Sequence, residues 1–143
     1  VAPMNLDALR TALFTKLNVS GLTSQLSTAY SPLAAIFYEI APQAADSGAA
    51  NAFPYVLFDI TTDTGFNDKG VTGTNAVVQV DVYSRLHTTQ VEAIGEIVHG
   101  LLHRQALLFT SHVITECESI ETMTEPDGET RRCLMLFRVI AVS

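Results

Sequence analysis

Apolar and polar residues alternate along residues 75–85. The apolar positions are Val78, Val80 and Val82, and the polar positions between them are Gln79, Asp81 and Tyr83. A repeat of two residues is typical of a β-strand that buries one face and leaves the other for water or a partner. The pattern therefore predicts a strand with an available polar face, and no catalytic set of residues accompanies it.

Another strand is predicted from Pro54 to about Thr62, because a proline is tolerated where a strand begins. The residues that follow, from Asp63 to Thr74, are rich in Gly, Asp and Asn. This connection is longer than the roughly two to five residues of most hairpin turns. Since long loops in small domains often carry function, we expect an exposed functional loop with Phe66 at its tip.

Leucines recur at intervals of three and four residues near the start of the chain, as on the buried stripe of an amphipathic helix. They are Leu6, Leu9, Leu13 and Leu17. Asn5 precedes the first of them and is a residue type that caps helix starts. We expect a first helix here that ends between residues 18 and 21, at Asn and Gly.

A second amphipathic helix is predicted from Thr89 to Leu108. Thr89 and Glu92 have the spacing of a capping box, in which a hydroxyl and a carboxylate each satisfy a free amide. The apolar stripe consists of Val91, Ile94, Ile97, Val98, Leu101, Leu102 and Leu108. At 1.5 Å per residue this helix would be about 30 Å long. We expect it to lie across one face of the sheet, with the first helix beside it.

The remaining segments are assigned from their turn residues and apolar runs. Residues 33–40 could form a short strand or a helical turn, and residues 41–52 have the composition of an exposed loop. The chain closes with a hairpin of strands at about 111–122 and 130–142, joined by a Pro-Asp-Gly turn. The last strand is apolar on both faces over much of its length, which favours a central position in the sheet or burial against another subunit.

Together these elements predict one α+β domain over residues 1–143. Its sheet is mainly antiparallel with four to five strands, and two amphipathic helices pack on one face. A chain of 143 residues can bury enough apolar surface to be stable without disulfides.

Charge narrows the possible functions. The formal net charge is -7 and the pI is near 4.9, which argues against nucleic-acid binding because Lys and Arg must neutralise phosphates. An acidic chain could still surround DNA, since repulsion prevents phosphates from adhering to the lining. Charged residues make up 16% of the chain, below the usual ~25%. That value fits a surface covered by neighbours and also fits a compact monomer.

The two cysteines fall in the two closing strands. If the turn is centred on Asp127, Cys117 lies near Arg138 and Cys133 near Thr122, so the thiols are too far apart for a disulfide. The sequence shows no secretory signal and no apolar run that approaches the ~18 residues of a membrane span. We therefore expect a protein that folds in a reducing cytoplasm and has no membrane partner.

Glu96, His99 and His103 share one helix face and resemble a metal-binding group. A di-iron site would need a second Glu-x-x-His motif, and a zinc protease would need His-Glu-x-x-His; the sequence has neither. The segment Asp63–Gly70 misses the ligand spacing of an EF-hand. Phosphate-binding loops and nucleophile motifs are also absent from the sequence. We expect no catalytic residues, no metal and no cofactor.

With these segments assembled, the sequence resembles the tail-completion or tail-terminator family of long-tailed bacteriophages and phage-derived particles such as gene transfer agents. The segments that carry the resemblance are the first helix, Ala41-Pro42-Gln43, Phe53-Pro54-Tyr55-Val56, Val78-Gln79-Val80-Asp81-Val82-Tyr83-Ser84, the helix from Thr89, and the hairpin from His112 to Val142. The segment Asp46 to Ala52 departs from the family pattern because it is longer than expected.

The resemblance implies a structural subunit that forms a homo-oligomeric, usually hexameric, ring at the end of the tail tube. Such a ring stops tube growth and offers its other face to the head-tail connector or stopper protein. DNA passes through the hole without sequence-specific binding. The protein would be assembled in the host cytoplasm and would reside in the tail-neck region of the virion.

We expect the subunit and tube contacts in three places. They are Gly65, Phe66, Asn67, Asp68 and Lys69 in the predicted loop, Gln79, Asp81 and Tyr83 on the polar strand face, and Asp127 and Gly128 at the closing turn. Two other interpretations remain open. One is a head-side connector or tail-tube subunit of the same particle, and the other is a small ligand-binding or hydrolase domain.

Overall fold

The computed structural model describes residues 6–40, 52–68, 71–107 and 112–142. Its helices are α1 (Leu6–Leu17), α2 (Ser20–Thr23) and α3 (Thr88–Leu102). Its strands are β1 (Ile36–Tyr38), β2 (Tyr55–Asp68), β3 (Val71–Ser84), β4 (His112–Thr124) and β5 (Arg131–Val142).

The strands form one five-stranded sheet in the order β1-β2-β3-β5-β4. The short β1 runs parallel to β2, and every other neighbouring pair is antiparallel. The predicted α+β fold with a mainly antiparallel sheet is therefore confirmed. The central position expected for the last strand is also confirmed, because β5 lies between β3 and β4.

Both large helices lie on one face of the sheet. Helix α3 packs on β3, β4 and β5, and α1 packs on α3 and β1. A Cβ atom added at Gly95 of α3 would lie 2.9 Å from Cys133 Sγ. That glycine lets α3 approach β5 closely, above a core that includes the alternating valines of β3, all fully buried. The predicted burial of Val78, Val80 and Val82 is confirmed.

The prediction of a long loop from Asp63 to Thr74 is wrong, because most of this segment belongs to two paired strands. The β2–β3 ladder continues to the pair Asp68–Val71, with one irregularity between Ile60 and Thr62. Glycine and asparagine are typical of loops, yet strand propensity depends strongly on neighbours. Here β5 extends alongside β3 as far as the pair Gly73–Val142, so β3 is held by ladders on both sides.

The ends of α3 also differ from the prediction. His87, not Thr89, caps the helix: its ring Nδ1 accepts a hydrogen bond from the Gln90 amide at 3.1 Å. The helix ends at Leu102 and not at the predicted Leu108. Leu108 itself lies outside the described residues. Arg104 then adopts a φ of 56° and donates its amide proton to the Thr115 carbonyl at 2.6 Å. This contact turns the chain onto β4 and ends the helix.

The other local predictions have clear outcomes. Helix α1 ends at Leu17, just before the predicted end, and buries Leu9, Leu13 and Leu17 as predicted, whereas Leu6 is 40% exposed. The proposed cap Asn5 lies outside the described residues. Residues 36–38 are a strand rather than a helical turn. The expected 41–52 loop lies outside the described residues except for its last one. Both cysteines are free thiols.

Candidate assembly surfaces

The sheet face turned away from α1 and α3 is the first candidate surface. Side chains there come from alternate positions of four strands, and most of them are half-buried. They include Leu57, Val77, Gln79, Tyr83, Leu134, Leu136 and Ile140. This "bare face", as we call it, is therefore a mixed apolar and polar surface, whereas the alternation in β3 alone indicated a polar one.

Asp81 is the buried centre of this bare face. It lies on the face that the alternation in β3 predicted, but only 4% of its surface is exposed, and its contact role stays a prediction. Arg132 Nε donates to Asp81 Oδ1 at 2.8 Å, and Gln79 Nε2 donates to Asp81 Oδ2 at 2.9 Å. Arg132 also reaches Glu125 at 3.5 Å. Asp81 therefore fixes Arg132 in place instead of presenting a free carboxylate to a partner.

Tyr83 lies beside this ion pair in a stack of aromatic rings. Its ring is 5.0 Å from that of Tyr55, and the Arg132 guanidinium lies 5.6 Å from its centroid. Burial first, and then the Asp81 carboxylate, raise the pKa of Tyr83 to about 12. The Tyr83 phenol therefore stays neutral at physiological pH and offers a rigid aromatic surface with an ordered cation on one side.

The predicted turn at Asp127 and Gly128 is confirmed, and its hydrogen bonds order it. Asp127 Oδ1 accepts from the amides of Glu129 and Thr130, both at 2.8 Å. Those bonds, the Thr130 hydroxyl and the Arg85 cation together lower the pKa of Asp127 to about 2. Gly128 has a φ of 75°, a conformation that favours glycine. The turn is thus preorganised, while its contact role stays a prediction.

The predicted contact residues do not form one site. The end of β2 next to the β2–β3 turn contains Gly65, Phe66, Asn67 and Asp68. Lys69 is outside the described residues. The Asp127 turn follows the opposite end of β3, where Ser84 pairs with Arg131. At 3.3 Å per residue these two ends of β3 are about 43 Å apart, with the bare face between them.

The two edges of the sheet are surfaces that sequence reasoning missed. Strand β1 pairs with β2 only from Val56 to Phe58, so within the described ranges the outer side of β2 has no strand partner from Asp59 onward. Strand β4 likewise has no strand on its outer side in the described ranges, although Arg104 and His103 hydrogen-bond its Thr115 carbonyl and Cys117 amide there. The one feature of the sequence that indicates an open edge is the shortness of the apolar segment 33–40.

The histidine face that invited a metal interpretation is used structurally. The rings of His99 and His103 stack at 4.7 Å, and His103 Nδ1 accepts a hydrogen bond from the Cys117 amide at 3.0 Å. Within the described ranges, no three His, Cys, Asp or Glu side chains are grouped so that they could hold a metal ion.

Across the described part of the chain, no helix combines the length and the apolar character that a membrane span requires.

Comparison with known proteins identifies the family. Residues 8–142 match the family described as Tail completion protein gp17. The chain belongs to this family. Family membership makes it a structural component of the virion tail, as the sequence resemblance predicted. No curated protein matches the chain.

The fold also has relatives among solved structures. One chain from the structure described as "Virion of native gene transfer agent (GTA) particle" superposes with a TM-score of 0.74 and 16% sequence identity. The match covers 99% of this chain and 100% of that chain. At that identity the likeness establishes the shared fold over the whole chain.

Proposed function

We propose that this protein is a tail terminator, or tail-completion subunit, that forms a ring on the end of the tail tube. In this role the ring stops tube growth and joins the tube to the head-tail connector, and DNA passes through its lumen. The observation that carries the proposal is membership of the tail-completion family over residues 8–142. The role is structural, without catalysis.

The two outer edges of the sheet support ring formation, although the β4 edge is covered at Thr115 and Cys117 by Arg104 and His103. The four long strands alternate in direction across the sheet, so β2 and β4 at its two sides run in opposite directions. When copies are placed head to tail, β4 of one subunit therefore lies antiparallel to β2 of the next, which is a favourable strand pairing. Head-to-tail contacts of this kind close into rings when the rotation between copies permits.

The charge of the chain supports DNA passage rather than DNA binding. With a formal net charge of -7, a ring of such subunits repels phosphates and leaves few positions where DNA can be held. On the bare face, Arg132 is committed to Asp81, and at the β4 side Arg138 is paired with Glu118 at 3.0 Å. These two arginines are thus neutralised within the subunit.

The experiment that tests the proposal is deletion of the gene from the particle that encodes it, followed by electron microscopy of the products. Overlong tubes detached from filled heads are expected. Tails of normal length joined to heads would refute the terminator role. Absence of tubes would instead indicate a tube subunit, and restoration of normal tails by the wild-type gene in trans is the control.

A further inference from the structure

Two grooves lie on the helix side of the sheet, at its opposite edges. The groove between α3 and β4 has a volume of about 450 Å³ and is lined by Glu92, Glu96, His99, Ile120 and Cys133, among others. We call it the acidic groove. The lining combines two carboxylates with apolar atoms, and the large aliphatic side chain of Ile120 is 54% exposed. Ile120 is therefore available for contact with an apolar group on a neighbouring molecule.

The groove at the other edge lies between α1 and β1. It has a volume of about 250 Å³ and is lined by Arg10, Thr11, Phe14, Tyr38 and Phe58. We call it the aromatic groove. Phe14 is 37% exposed there, and the Arg10 guanidinium stacks 4.5 Å above the Tyr38 ring. This groove therefore presents an aromatic side chain next to a cation.

The two grooves are at the same height on the sheet. One row of paired residues runs across all five strands: Tyr38, Phe58, Val80, Met135 and Ile120. Tyr38 lines the aromatic groove at one end of this row, and Ile120 lines the acidic groove at the other. Head-to-tail copies placed without an axial shift would therefore bring the acidic groove of one subunit against the aromatic groove of the next.

The charged residues in the two grooves are opposite in sign, and they have few ion-pair partners within their own subunit. In the described part of the chain, Glu92 and Glu96 form no ion pair. Arg10 forms a salt bridge with Asp7 at 3.7 Å, and the Asp7 side chain is 82% exposed. The Arg10 side chain is 43% exposed, so a carboxylate of a neighbouring molecule can reach its guanidinium.

We propose that the acidic groove of each subunit receives Phe14 and Arg10 of its neighbour in the ring. Phe14 covers Ile120, and Arg10 meets Glu92 and Glu96. This contact rests on the proposed function, in which the subunits form a ring, and it lies at the surfaces where neighbouring subunits join to close that ring. The charge complementarity is limited to Arg10 and the two glutamates. The aromatic groove as a whole is not basic, because Glu39 and Asp59 lie near Tyr38.

Disulfide cross-linking in assembled particles tests the contact directly. Phe14→Cys and Ile120→Cys are combined in a background with Cys117→Ser and Cys133→Ala, whose folding is checked by circular dichroism. Oxidation of purified particles should give a covalent ladder that ends at the number of subunits in the ring, and neither single variant should form dimers. Assembled particles that give no ladder, or dimers of the Ile120→Cys variant alone, would overturn the proposal.

A charge exchange tests the ionic part. Arg10→Glu or Glu96→Arg alone should reduce the yield of terminated, head-joined tails at least about tenfold, because a reversed interfacial charge meets a like charge. The double variant should restore most of the yield. The matched control combines Arg10→Glu with Glu121→Arg, which has the same net charge but places the new cation on the opposite face of β4. Equal rescue by this control would overturn the assigned pair.

These results separate the contact from the terminator role. If the cysteine pair fails to cross-link while gene deletion gives overlong tubes, the contact is wrong and the terminator role stands. If the ladder forms while deletion leaves tail length unchanged, the ring contact stands and the terminator role is wrong.

Discussion

Replacement of Gly95 by alanine tests how closely α3 approaches the sheet. The new Cβ would lie 2.9 Å from Cys133 Sγ and 4.0 Å from Met135 Cε. Cys133 and Met135 are both buried, and Cys133 meets open space only where it lines the acidic groove. Overpacking of a core typically costs about 1–3 kcal/mol. Alanine also improves helix propensity over glycine by about 1 kcal/mol, which offsets part of that cost.

Gly100 provides a matched control in the same helix. A Cβ added there meets nothing within 4 Å, so Gly100→Ala should gain the helix propensity alone and stabilise the protein by up to about 1 kcal/mol. The free energy of unfolding of Gly95→Ala should therefore fall about 1–3 kcal/mol below that of Gly100→Ala. Urea denaturation followed by circular dichroism measures both values.

A third variant identifies the contact responsible. Cys133→Ala removes the sulfur that the new methyl group would meet, so Gly95→Ala should be less harmful in the Cys133→Ala background than in the wild type. The difference is the coupling energy of a double-mutant cycle. If Gly95→Ala stabilises as much as Gly100→Ala, or if the coupling is zero, the close approach of α3 to β5 is refuted.

Three further predictions concern the bare face and the two ends of the sheet. Asp81→Asn should lower the free energy of unfolding by about 1–3 kcal/mol in urea denaturation, because Arg132 then lacks its anionic partner; an unchanged midpoint would contradict this. The lowered pKa of Asp127, about 2 in the fold against 3.8 otherwise, stabilises the fold above about pH 4. This contribution is lost as pH falls towards 2, so the acid-unfolding profile of Asp127→Asn should be flatter than that of wild type, and identical profiles would exclude this role. Phe66→Asp should block particle assembly and leave the monomer folded by circular dichroism, and assembly at normal yield would remove this residue from the contacts.

Local periodicity was enough to predict much of the fold. The valines of β3 are buried because they alternate, and β5 is central because both of its faces are apolar. The closing turn was set by Pro126 and Gly128, and with it the register that places Cys133 opposite Thr122. Each of these features depends on residues that are close in the sequence or on a single repeated pattern.

The features that sequence reasoning missed depend on distant partners or unusual residues. Asp81 is buried because Arg132, 51 residues later, reaches it from β5. The segment around Gly65 and Gly73 is strand because neighbouring strands pair with it, although glycine usually weakens strands. His87 caps α3 although histidine is not among the usual capping residues. None of these three outcomes has a local signature.

The distance between the hairpin end and the Asp127 turn limits how the ring can be placed. They lie at opposite ends of β3, about 43 Å apart at 3.3 Å per residue, so they cannot contact the same partner surface in one subunit. The acidic and aromatic grooves lie at the lateral edges, where neighbouring subunits meet in the proposed ring. If the strands run roughly along the ring axis, one end of the sheet meets the tube and the other meets the connector. Variants at Phe66 and Asp127 should then stop assembly at different steps.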